Sequence, residues 1–263
     1  MKVALHLVRA RQARLAALLE QHGYLPIAEL CQRFAISEAT ARRDLAALAS
    51  ERKVTRTRGG AFGPLDDFNQ GFASFEARRR RAAAAKLRIA RAAHARIKPG
   101  TTVFLDAGTT LFVLATLLRR EPVAGLRVVT NSLPIAESLG GIDAYEVHLL
   151  GGRFLDRQSV LLGPEAGVAA GRWRFETAFL GAEGLTPAGL WNSSPDVVAF
   201  QRSVLRSAAI AYVCLDAGKL GHATEYRLAD WEDRWRLLTS ARPTQLSSRG
   251  ISEKIRRGRV DFA

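Results

Sequence analysis

Beyond residue 100 the chain alternates short apolar runs with stretches of helical periodicity, and this restricts the fold more than any other feature. The apolar runs are V-F-L (103–105), R-V-V (127–129), E-V-H-L-L (146–150), A-F-L (178–180) and A-I-A-Y-V-C-L (209–215). Helical patterns fit 110–120, 133–140 and 195–208, the last opened by Ser194 and Pro195. Parallel strands cannot be joined by a tight turn and need a crossover, usually a helix. The pattern therefore predicts an α/β domain on a largely parallel sheet. Neither a Rossmann glycine fingerprint nor a P-loop lysine motif occurs, which argues against a nucleotide-dependent enzyme.

The apolar runs end in small, polar or charged residues: D-A-G-T-T (106–110), T-N-S (130–132), G-G-R (151–153), G-A-E-G (181–184) and D-A-G-K (216–219). In an open α/β sheet the carboxyl ends of the strands line the ligand crevice. A loop of Gly and Thr at a helix start offers free amides and hydroxyls, which is how a phosphate is held. The candidate ligand-binding residues are Asp106, Gly108, Thr109, Thr110, Thr130, Asn131, Ser132, Gly151, Gly152, Glu183 and Lys219. Lys219 is expected to meet a phosphate dianion. Asp106 would repel one, and is expected to bond hydroxyls elsewhere on the ligand or to orient Lys219. The competing reading is that such residues are ordinary connectors; one loop would decide little, but five on one sheet edge weigh against that.

The formal net charge is +14, and it is lopsided. Residues 1–100 hold 20 Lys+Arg against 8 Asp+Glu, and the remainder holds 19 against 17. A basic end on a nearly neutral body suits a polyanion, and no basic stretch with bulky aromatic anchors favours a membrane over nucleic acid. No apolar run approaches the ~18 residues of a membrane span, and the N-terminus lacks the features of a secretory signal. Cys31 and Cys214 lie far apart in apolar patterns, which suits buried thiols in a reducing cytoplasm.

Within the basic end, Leu15, Leu18 and Leu19 mark one helix, stopped at Gly23. Ile27, Leu30, Cys31 and Phe34 form one stripe of a second. Three residues later a third helix begins after the N-cap Ser37, with Ala41, Leu45 and Leu48 inward. This is helix-turn-helix spacing, whose second helix enters the major groove. Its outer face carries Ser37, Glu38, Thr40, Arg42 and Arg43, groups suited to phosphates and guanine edges. The alternative is a solvated face with a Glu38–Arg42 pair. V-T-R-T-R-G-G-A-F then alternates β-branched residues with Arg56 and Arg58 and breaks at two glycines, as the wing of a winged helix would.

L-x-x-L-L-x-x-x-G (15–23), S-x-x-T-x-R-R-D-L (37–45) and the G-G-A that follows together resemble the DNA-binding domain of DeoR-type transcriptional regulators over about residues 11–61. Arg52 stands where the family usually has a helix-ending glycine, and Arg58 replaces the usual histidine. Residues 75–240 also resemble that family, through K-L-R-I-A (86–90), L-D-A-G-T-T (105–110), V-V-T-N-S (128–132), L-L-G-G (149–152), A-F-L-G-A-E-G (178–184) and D-A-G-K (216–219). The resemblance implies a sensor domain of the ribose phosphate isomerase and CoA-transferase-like fold, binding a phosphorylated sugar or related metabolite.

The expected organisation is a winged helix-turn-helix domain (1–61), a turn-rich linker (62–74), an α/β effector domain (75–240) and a basic C-terminal tail (241–263). Residues 77–97 are expected to form an alanine-rich helix packed through Ile89, Ala93 and Ile97. The chain is expected to be a cytoplasmic repressor of a sugar-metabolism operon that binds double-stranded DNA, tuned by a phosphosugar, without cofactor or metal, and a dimer or tetramer. The alternative is a sugar-phosphate isomerase or deaminase, with Asp106, Glu183, Asp216 and Lys219 as acid and base groups.

Overall fold

Among the described residues, three helices and a small sheet make up the first of the two units, residues 1–73 and 74–263, into which the computed structural model divides. The structure describes residues 5–22, 24–51, 53–56, 59–62, 75–231, 233–256 and 258–263. Arg52, Arg58 and residues 63–74, most of the expected linker, lie outside the described residues.

In chain order the first unit comprises α1 (Leu5–His22), β1 (Tyr24–Pro26), α2 (Ile27–Phe34), α3 (Glu38–Ser50), β2 (Thr55–Arg56) and β3 (Gly60–Phe62). Ala35, in the left-handed region at φ 49°, ends α2, and Ser37 caps α3 by accepting from the Thr40 amide. The three-residue turn between the two helices is thus made by one reversal and one cap. Leu15, Leu19, Leu30, Leu45 and Leu48 pack with Val54 and Ala61 into a single core. Burying each such leucine contributes roughly 1.5–3 kcal/mol. The strands run in the order β1-β3-β2, all antiparallel, so the hairpin after α3 is the wing.

The second unit opens with α4 (Phe75–Arg80) and α5 (Ala83–His94), followed by β4 (Thr102–Leu105), α6 (Thr109–Arg120), β5 (Leu126–Thr130), α7 (Leu133–Leu139) and β6 (Tyr145–Leu149). A hairpin of β7 (Arg153–Leu155) and β8 (Val160–Leu162) leads to α8 (Pro164–Gly171) and β9 (Phe175–Leu180). Then come β10 (Gly184–Thr186), β11 (Gly189–Asn192), α9 (Pro195–Ser207), β12 (Ala208–Leu215), β13 (Tyr226–Ala229) and β14 (Arg236–Thr239). The chain finishes with α10 (Pro243–Ser247), α11 (Glu253–Arg256) and β15 (Val260–Phe262).

Seven strands form the main sheet in the order β15-β14-β12-β9-β4-β5-β6, every pair parallel. Side chains alternate between its faces: Val103, Leu105, Val128, Phe179, Cys214 and Leu238 join one core, with residues of α5, α6 and α7. Phe104, Val129, Ala178, Leu180, Val213 and Leu237 join the other, with residues of α8 and α9. Parallel sheets are stable only when both faces are covered in this way. From β4 the chain builds outward through β5 and β6, then returns to place β9 on the other side of β4. The strand order therefore reverses between β4 and β9, where open α/β sheets form their crevice.

Two expectations need correction. The helix expected over 77–97 is broken: Ala82 at φ 48° separates α4 from α5, although Ile89, Ala93 and Ile97 are buried as expected. Residues 241–263 are not a separate tail. β15 extends the sheet beside β14, Leu246 and Ile251 are buried, and Arg236 donates to both oxygens of Asp261 at 3.1 and 3.2 Å.

Candidate functional site

On the first unit the outer face of α3 is solvent-facing: Ser37, Glu38, Arg42 and Arg43 are exposed and Thr40 partly so. Ser37 Oγ lies 2.9 Å from Thr40 Oγ1, and Arg42 reaches Glu38 at 2.5 Å. The i,i+4 pair is formed, but between exposed groups it is worth only a few tenths of a kcal/mol, so Arg42 can exchange it for a phosphate or a base. Arg56 is exposed on β2. The inner face holds a residue that sequence periodicity did not single out. Asp44 is buried and accepts from Arg11 Nε at 2.6 Å and Gln12 Nε2 at 3.0 Å, tying α3 to α1. The Asp44 carboxylate holds the Arg11 pKa above its ordinary value.

On the second unit, the ends of β4 and β9 are joined at the switch point through Asp106. Its carboxylate is 6 % exposed and accepts from Ala107 N (2.9 Å), Gly181 N (3.1 Å) and Gln201 Nε2 (2.6 Å). Burial pushes its pKa up, and these three hydrogen bonds pull it back. Gln201, on α9, also donates to Gly181 O and accepts from Asn192 Nδ2. Asp106 is therefore a strut between strand ends; its recorded bonds do not include Lys219.

The T-N-S turn divides in role as well. Thr130 Oγ1 donates to Leu105 O and accepts from Ser132 N, a buried staple. Asn131 Oδ1 accepts from Ala107 N, while Ser132 Oγ is fully buried without a partner. Gly108 precedes α6 without a side-chain cap, and its carbonyl accepts from Phe112 N. The amides of residues 109–111 thus open the helix with no intrahelical acceptor, beside the Thr109 and Thr110 hydroxyls. Gly151 and Gly152 are exposed at the end of the outer strand, where Gly152, at φ 142°, would set a Cβ 2.6 Å from Leu162 O. Glu183 Oε2 accepts from Ser193 N.

Arg78 and Arg81 act electrostatically on two lysines here. Lys219 feels Asp216 and Glu183 on one side and Arg78 and Arg81 on the other, and loss of water pushes its pKa down to about 8. Lys86, 5 % exposed, donates to the Arg78 carbonyl; burial pushes it down to about 8 as well. Burial likewise lowers the Arg78 pKa, against the pull of Glu183 and Asp106, and its Nε is buried without a partner. Dehydrated cations held near one another are unfavourable alone and favourable around an anion. Lys86, Arg78 and Gln201 were not among the expected site residues. A signal existed for two of them: Lys86 falls on the buried stripe Lys86, Ile89, Ala90, Ala93, and Gln201 among Val198, Phe200 and Val204.

Comparison with known proteins matches residues 11–63 to the DeoR-like helix-turn-helix domain and residues 81–241 to the DeoR C terminal sensor domain. The HTH-type transcriptional repressor GlcR of Bacillus subtilis (strain 168) is 29% identical over 238 residues, 89% of this chain and 90% of that protein. The HTH-type transcriptional regulator UlaR of Shigella flexneri serotype 5b (strain 8401) is 28% identical over 250 residues, 92% and 96%. Among solved structures, a D-ribose-5-phosphate isomerase in complex with phospho-erythronic acid overlaps with a TM-score of 0.38 at 18% identity, covering 51% of this chain and 52% of that one. The Pyrococcus horikoshii OT3 translation initiation factor eIF-2B gives 0.40 at 18% identity, covering 56% and 50%. The chain spans about half the length of these two solved structures. No described helix is long and apolar enough to cross a membrane. With a winged helix-turn-helix at one end and a sensor domain over most of the rest, the chain belongs to the DeoR family of DNA-binding transcriptional regulators.

Proposed function

We propose that the protein is a cytoplasmic repressor whose hold on double-stranded DNA is controlled by a phosphorylated sugar bound in the crevice at the β4–β9 switch point. What supports this reading is that Lys86 and Lys219, both pushed down to about 8 by burial, each feel Arg78, whose Nε is buried without a partner. In the bound state Lys219 and the Thr109, Thr110 and α6 amides meet the phosphate. Glu183, Asn131 and Ser132 face the sugar, with Gly151 and Gly152 at the rim. Asp106 and Thr130 hold these loops in place and touch no ligand. The DNA-facing residues are Ser37, Glu38, Thr40, Arg42, Arg43, Arg56 and Arg58. The protein acts as a dimer or tetramer, because one helix-turn-helix buries too little to select a single site. It is a regulator and not an isomerase: Asp106, one of the four groups that acid–base chemistry would draw on, is already occupied by three donors.

The test is calorimetric titration with a panel of pentose and hexose phosphates and the corresponding free sugars, on wild type and Lys219→Ala. At least one phosphorylated sugar is expected to bind. Lys219→Ala is expected to cost a charge-assisted bond, roughly 1.5–3 kcal/mol, and hardly to change the free sugar. If no phosphorylated metabolite binds, or if binding ignores the substitution, the crevice is only a set of turns.

A further inference from the structure

Arg78 reaches the crevice from a different place than the other cations. Lys219 follows a sheet strand and Lys86 lies on α5, but Arg78 belongs to α4, the first described element after residues 63–74. That stretch joins the sensor unit to the wing in sequence. α4 is short and is cut off from α5 by Ala82 in the left-handed region, a conformation that residues other than glycine rarely adopt. Helix propagation from α5 therefore does not hold α4 in place.

What holds it are contacts with parts of the crevice. Phe75, 6 % exposed, meets Phe112 edge-on, ring centroids 5.3 Å apart, and Phe112 lies in the first turn of α6, two residues after Thr110. Lys86 donates to the Arg78 carbonyl. The Arg78 guanidinium sits in range of Glu183 and Asp106, with Nε buried and unpartnered. Against these contacts stands the repulsion of Arg78 with Lys86 and with Lys219, in which Arg81 shares. An anion among the three reverses the sign of that interaction, turning a loosening force on α4 into a clamp.

We propose that Arg78 is the residue through which the effector is felt by the rest of the protein: it binds the phosphate from α4, and the anion locks α4 onto α6 and thereby fixes the start of the chain that leads to the DNA-binding unit. This rests on the reading of the crevice as a phosphate site. It goes further in naming α4 as the element that changes.

Hydrogen–deuterium exchange on the full chain tests it, with inorganic phosphate as the probe and sodium chloride of equal ionic strength as the control. Phosphate is expected to slow exchange both in residues 109–114 and in residues 75–82. Arg78→Gln is expected to weaken phosphate binding about ten- to a hundredfold. At saturating phosphate that variant should protect residues 109–114 but not 75–82. Arg78→Lys keeps the charge and should restore part of the α4 protection, which separates lost charge from a damaged fold. Slowing at 109–114 alone in wild type, or unchanged α4 protection in Arg78→Gln, would overturn the role of α4 while leaving the phosphate site standing. No slowing in either segment of the wild type would overturn both.

Discussion

Lys86 and Lys219 are each pushed down to about 8 by burial, so a phosphate that draws them back toward their ordinary value must bring protons with it. A phosphate monoester is already a dianion at pH 8, so the protons taken up there belong to the lysines. Calorimetry at pH 8 in buffers of different ionisation enthalpy should show net proton uptake on binding. Affinity should fall as pH rises through 8, because the neutral lysines lose their attraction for the anion. Release of protons, or a flat profile between pH 7 and 9, would mean that neither lysine meets the phosphate. The candidate residues readable in sequence were those at strand ends, where small polar groups interrupt apolar runs. Lys86, Gln201 and Asp44 arrive from helices, each on a stripe of buried residues. A polar residue on an apolar stripe is masked in a periodicity count by its neighbours, although its burial requires a partner. Asp106 drew notice in the sequence as a strand-end carboxylate, but its bracing of the loops did not show there, since its three donors come from the ends of two strands and from α9.

At the scale of elements, the face of α3 proposed to read DNA is separate from the face that anchors the helix. Asp44→Ala removes the acceptor of Arg11, whose side chain is 22 % exposed and can turn to water, so the cost should be about 1–3 kcal/mol. Hydrogen exchange in α1 and α3 should accelerate accordingly. Arg43→Ala, on the exposed face, should leave that exchange unchanged and weaken binding to a cognate site by about 1–3 kcal/mol if the fork reads a base. If it meets only phosphate, the loss should be uniform over sequences and the salt slope shallower. Faster exchange in Arg43→Ala would mean the two faces are not separate. The helix-turn-helix and the parallel strands showed in sequence because both rest on strict spacing of apolar residues. The break at Ala82 did not, since an alanine in the left-handed region has no sequence signature and the run around it is uniformly helix-prone. The strand β15, V-D-F, is too short for alternation to register and owes its place to the β14 ladder and to Arg236 on Asp261.

Across the whole molecule, a basic unit that faces a polyanion is carried on a nearly neutral one, and the sensing site proposed in the second draws on Arg78, Lys86 and Lys219. Coupling between such sites is typically 1–3 kcal/mol, a five- to 150-fold change in affinity. The central claim is that occupancy of the crevice sets the affinity for DNA. The direct measurement is fluorescence anisotropy of the full chain on a DNA fragment it selects from a random pool, titrated with the phosphosugar found by calorimetry. DNA affinity should change at least fivefold across the titration, and in Lys219→Ala the midpoint should move about ten- to a hundredfold higher. A DNA affinity that stays constant while the phosphosugar saturates the crevice would contradict the account.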